Sequence, residues 1–97
     1  MSQLLLTPDT VIARVAATSA ETEQALNVAA TTIRVRNLGP NTVYLDVKTG
    51  VTTANGYPMI ANAAEDFETE QGTESLFFIC AAAETAAVHI IEQVIDR

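Results

Sequence analysis

Four carboxylates, Glu65, Asp66, Glu68 and Glu70, fall within six residues and form the densest set of potential ligands in the chain. Acidic oxygens at that density could hold a divalent cation. The spacing does not fit a calcium loop, with its alternating acids, central glycine and terminal glutamate, and no Cys or His lies nearby in sequence to serve a transition metal. The expected role is protection of a sheet edge, because a row of like charges repels a strand from another molecule. Other reactive side chains are sparse. The one cysteine, Cys80, sits in the run Leu76-Phe77-Phe78-Ile79-Cys80-Ala81 and is expected to be an inert buried hydrophobe. The one histidine, His89, cannot make a two-histidine metal site and is expected to be exposed or held by a backbone partner. Ser2, Ser19 and Ser75 lack a G-x-S-x-G setting, and neither a glycine-rich phosphate loop nor H-E-x-x-H occurs. The chain is therefore expected to have no catalytic residues, no metal and no cofactor, and not to be an enzyme.

At 97 residues the chain is expected to be a single β domain over 1–97, and its 48% hydrophobic content is enough for a core although aromatics are few. A domain this small buries a limited share of its surface, so association would add stability. The net charge of −7 is unevenly placed. Residues 1–48 balance four acids against four bases, whereas residues 49–97 carry eight acids and Arg97 alone as a base. An acidic chain without a basic stripe in its sequence is a poor partner for phosphates, so no nucleic acid is expected as a partner. No apolar run is long enough to span a bilayer, and Met1-Ser2-Gln3-Leu4-Leu5-Leu6 lacks both the charge and the apolar length of a signal segment. No membrane partner is expected, and synthesis in a cytoplasm is.

The elements that would position these groups read as strands. Thr32-Ile33-Arg34-Val35-Arg36 and Val43-Tyr44-Leu45-Asp46-Val47-Lys48 alternate apolar and polar residues around the turn-forming stretch Asn37-Leu38-Gly39-Pro40-Asn41. They are expected to form a β-hairpin. If both strands lie in one sheet, their apolar sets share a face only when Val35 meets Val43 or Leu45, and the second register puts Arg34 opposite Asp46. Further strands are expected at Val11 to Ala16, around Leu26 and Val28, briefly at Val51 to Ala54, at Met59-Ile60, and at the acidic edge from Glu65 to Glu70. The unalternating run from Ser75 to Ala81 must be covered on both faces, as a central strand or a subunit interface. For residues 86–95 the apolar spacing would suit a helix, but the Val and Ile content favours a strand through about Glu92. The expected fold is all-β, a small antiparallel β-sandwich or jelly-roll-like barrel of about seven to eight short strands.

The order of these segments carries a resemblance. Val11-Ile12-Ala13-Arg14-Val15-Ala16, Ala25-Leu26, the run from Ile33 through Asn37-Leu38-Gly39-Pro40-Asn41 to Leu45, and Tyr57-Pro58-Met59-Ile60 before a closing β stretch resemble small β-sandwich virion proteins of tailed bacteriophages. The acidic stretch from Glu65 to Glu74 and the end from Gln93 to Arg97 depart from that pattern. The resemblance implies a capsid decoration, or cement, protein: a homotrimer on the head exterior with the major capsid protein as partner. On that reading Phe77 and Ile79, or Ile91, Val94 and Ile95, lie at the trimer interface, and Leu4, Leu5 and Leu6 anchor an N-terminal arm over 1–9. The alternative is a tail, neck or fibre-associated module that recognises a host surface ligand or another virion protein, with Tyr57 beside Asn55-Gly56 as its loop-tip residue.

Overall fold

The computed structural model describes residues 11–26, 32–68 and 73–93. They form strands β1 (Val11–Ala17), β2 (Thr22–Ala25), β3 (Thr32–Pro40), β4 (Val43–Asp46), β5 (Tyr57–Met59), β6 (Ala64–Glu68), β7 (Ser75–Ile79) and β8 (Ala86–Gln93). Two four-stranded antiparallel sheets result, in the orders β1-β8-β3-β6 and β2-β7-β4-β5. The all-β sandwich expected from the sequence is the observed fold.

Alternation explains which residues fill the space between the sheets. Ile33 and Val35 of β3 and Val88 and Ile90 of β8 point inward from one sheet, while Val43 and Leu45 of β4 and Leu76 and Phe78 of β7 point inward from the other. Each such side chain contributes roughly 1.5–3 kcal/mol by leaving water, which makes these four inner strands the stable part of the fold. Expectations for β1, β7 and β8 hold, with β7 central in its sheet and residues 86–93 strand; β6 is the expected edge over its described part, and Thr69 and Glu70 lie outside the described residues. Glu92 nonetheless points inward, 2% exposed, in register with Ile33.

The hairpin expectation is corrected. β3 and β4 belong to different sheets, so Ile33 and Val35 face Val43 and Leu45 across the core rather than along a shared ladder. Arg34 accordingly lies opposite Asp66 of β6, with Nε 2.6 Å from Oδ1, and not opposite Asp46. The cause is Asn37, whose side chain is wholly buried where a bulge shifts the β3–β8 register between Asn37 and Gly39. Its amide donates to the carbonyls of Asn41 and Met59 at 2.9 and 2.8 Å and accepts from the Gly39 N–H at 2.7 Å. Gly39 takes φ of 84°, a conformation suited to glycine. The stretch read as a turn is thus a bulged strand end that delivers the chain to the second sheet.

Three shorter segments also differ from the expected strands. Val51 to Ala54 is a turn, because the Glu21 carboxylate accepts from Thr49 Oγ1 and from the N–H groups of Gly50 and Val51, while Gly56 N–H closes onto the Thr52 carbonyl. A Cβ at Gly56 would lie 2.7 Å from Val51 Cγ2 and 2.8 Å from Tyr44 Cβ, so this tight return needs glycine. The second strand runs over Thr22–Ala25, ahead of the Leu26 and Val28 expected for it. Leu26 is buried just beyond the strand end, and Val28 lies outside the described residues. Met59 is buried as the inward residue of β5, whereas Ile60 is 67% exposed.

Candidate functional site

The candidate surfaces are the two outer faces of the sandwich. On the β2-β7-β4-β5 sheet, register places Phe77 between Glu23 and Asp46, and Tyr44 between Ile79 and Pro58. Phe77, Ile79 and Tyr44 remain partly accessible, forming an apolar strip. A concavity above Phe77 is bordered by Glu23, Glu74, Ser75, Thr73 and Lys48. Glu23 is held there by the Ser75 hydroxyl, which donates to Oε2 at 2.6 Å.

The opposite sheet presents a different chemistry. Two adjacent rows cross it: Ile12, Ile91, Arg34 and Asp66 in one, Arg14, His89, Arg36 and Ala64 in the next. Ile12 is 59% exposed and projects from this face. His89 is partly buried, and its Nε2 accepts from Arg14 Nε at 3.0 Å, so it is neither fully exposed nor held by a backbone partner, the two expected settings, but bonded to a side chain. Arg34 forms a forked pair with Asp66, at 2.6 and 3.0 Å, which holds the Asp66 carboxyl below its ordinary pKa and raises that of Arg34. Glu68 is exposed on the same side, in register with Thr32, so Arg14, Arg34 and Arg36 stand against Asp66 and Glu68 and leave this face weakly basic on an acidic protein.

Two of the four acids of the acidic run make internal contacts, Glu68 is exposed, and Glu70 lies outside the described residues. Asp66 serves Arg34, and Glu65 accepts from the Tyr57 hydroxyl at 2.7 Å, across the gap between β5 of one sheet and β6 of the other. The Tyr57 ring meets Phe67 edge-on at 5.7 Å. Tyr57 therefore lies in a strand and latches one side of the sandwich, which corrects its expected position at a loop tip. The hydrogen bond to Glu65 raises the pKa of the phenol. Cys80 is buried as expected, and that burial, with Glu84 nearby, pushes its thiol pKa up.

The interface residues expected from the sequence divide between the two faces. Phe77 and Ile79 are together on one, and Ile91 lies on the other, so they do not form one patch. Leu4, Leu5, Leu6, Val94 and Ile95 lie outside the described residues. Ile12, Arg14, Arg36 and Glu23 were not singled out by sequence reasoning. The signal for Arg34 and Arg36 was present in the alternation of β3, but the β1-β8-β3 order that adds Arg14 and Ile12 was not.

No family model and no curated protein matches the chain. A solved structure does share its fold. That chain comes from work on Bacillus endospore appendages, described as a novel family of disulfide-linked pili. The similarity has a TM-score of 0.51 at 16% identity and covers 98% of this chain and 100% of that chain. At this identity the likeness is one of fold, and it spans the whole sandwich.

Proposed function

We propose that the protein is a non-catalytic structural subunit of a virion, a capsid decoration protein on the outer surface of a phage head. The observation that carries this reading is the pair of outer faces, each with exposed or half-exposed apolar residues flanked by charge. A subunit that attaches to an assembly needs one such face, and a second face lets it join another neighbour, a capsid subunit or a further copy. The order of strand and turn motifs, similar to small virion sandwiches, supports the finer assignment, while a fold held in common with a pilus chain supports only an assembly subunit in general. Binding the assembled shell in preference to free major capsid protein would stabilise the shell by mass action. Three copies grouped at a three-fold site of the shell would add to this through effective concentration, with the trimer imposed by the lattice. A chain of net charge −7 is better placed on the head exterior than beside packaged DNA.

The test is co-sedimentation of the purified chain with undecorated mature heads of the virus that encodes it, with the stoichiometry measured. Saturable binding in threes, with slower thermal disassembly of the head, is the expected result. Absence of binding, or occupancy confined to one vertex, overturns the assignment. The fold neighbour favours a second reading, a subunit of a surface filament. Unlike the disulfide-linked pili of that work, such a filament would be joined without Cys80, the chain's one cysteine, which is 2% exposed.

A further inference from the structure

We infer that two copies of this chain dock head to tail, the basic outer face of the β1-β8-β3-β6 sheet on one copy against the acidic outer face of the β2-β7-β4-β5 sheet on the next. Charge complementarity is the first ground. Arg14 and Arg36 stand on one face, with Arg34 already matched to Asp66 and Glu68 at the β6 edge as the remaining acid, while Glu23, Asp46 and Glu74 against one lysine, Lys48, surround Phe77 on the other. Of the five basic residues in the chain, three are on that single face. Such segregation on a chain of net charge −7 selects an acidic partner surface, and the acidic face of a second copy is one.

Shape is the second ground. Ile12 projects, 59% exposed, beside Ile91 on the basic face, and the concavity on the acidic face offers Phe77 and Val47, within a polar rim, as the seat for that side chain. A knob and a receptor on different surfaces of one molecule make a heterologous contact. Here they lie on opposite faces of the sandwich, so each added copy leaves the same two faces free, and the contact propagates along a line instead of closing at three. The net charge opposes stacking over distances up to a Debye length, about 10 Å at 0.1 M salt, so the attraction is local to the matched faces.

This inference draws its purpose from the reading of the chain as an assembly subunit, but its test uses the purified full-length chain alone. Mass is measured by sedimentation velocity over a range of concentrations for the wild type, R36E, E74R and I12S. Among the described residues, Arg36 and Glu74 make no side-chain hydrogen bond or ion pair, so their reversal leaves the fold's own contacts in place. Wild-type mass should rise past that of a dimer, and each variant should need roughly ten-fold more protein to associate, the scale of one lost charge pair or apolar anchor. An equimolar mixture of R36E and E74R should regain association, because the intact basic face of E74R meets the intact acidic face of R36E. A wild type that stays monomeric overturns the inference. So does an E74R variant that associates like wild type, which would mean pairing of basic faces with each other, and so does a mixture that stays monomeric. Head binding by a monomeric chain sinks this contact alone, whereas self-association without head binding sinks the decoration reading alone.

Discussion

Asn37 has no accessible surface, and its side-chain amide has two acceptors and a donor as partners, while its own backbone N–H and carbonyl bond to Ala63 and Asn62. Truncation to alanine would strand the carbonyls of Asn41 and Met59 and the N–H of Gly39 at the corner where the chain changes sheets. A buried group left without its partner costs about 1–3 kcal/mol, so Asn37→Ala should lose about 3 kcal/mol in urea unfolding with an unchanged m-value. Glu21 acts through its charge. The Thr49 hydroxyl and then the Gly50 and Val51 N–H groups hold its pKa below the ordinary 4.5, and Arg34 similarly depresses Asp66. A carboxyl lowered on folding stabilises the native state above its unfolded value, and that stabilisation is lost as pH falls through the folded value. The melting temperature should therefore fall on acidification from about pH 4.5 downward, and Glu21→Gln should be less stable than wild type at pH 7 with a shallower acid decline. A Glu21→Gln profile parallel to wild type would remove Glu21 from this account.

At the scale of elements, the two sheets meet along a side closed by β5 and β6, where Tyr57 and Glu65 form the latch and Phe67 supports it. The Glu65 carboxylate favours the protonated phenol, so the pKa of Tyr57 rises on folding. That contribution is complete below the unfolded value of 10.0 and disappears as pH rises through the folded value. Tyr57→Phe should melt below wild type at pH 7, and the gap should close in alkali. The strands themselves were largely legible. An unbroken apolar run, Leu76 to Ala81, signals a central strand because both faces of such a strand are covered, and β-branched residues mark β8. Pairing was not legible between β3 and β4, because alternation reports which face a residue takes and says nothing of which strand lies beside it. Asn37-Leu38-Gly39-Pro40-Asn41 has the composition of a turn, and only the buried carbonyls of Met59 and Asn41 reveal it as a corner. The same limit applies to the candidate surfaces. Phe77 and Ile79 share a strand and could be seen together, whereas Ile12, Arg14 and Arg36 meet only through the order β1-β8-β3.

For the whole molecule, the question is how copies would be held together, and the chain's one cysteine bears on it. The fold is shared with a chain from disulfide-linked pili, yet Cys80 is 2% exposed, and burial followed by the charge of Glu84 raises its thiol pKa. Disulfide formation needs an accessible thiolate, and burial opposes both the access and the ionisation. Native protein should therefore react with a thiol reagent at pH 8 at least about 100-fold more slowly than the urea-unfolded chain, with labelling governed by opening of the fold. Oxidised samples on a non-reducing gel should run as single chains even where sedimentation shows association, since the contacts that join copies are then apolar and electrostatic. Rapid native labelling, or a covalent ladder that vanishes in Cys80→Ala, would show that the thiol reaches the surface. A Cys80→Ala chain that folds, associates as wild type does and leaves no ladder would instead place all of the assembly energy in the two outer faces.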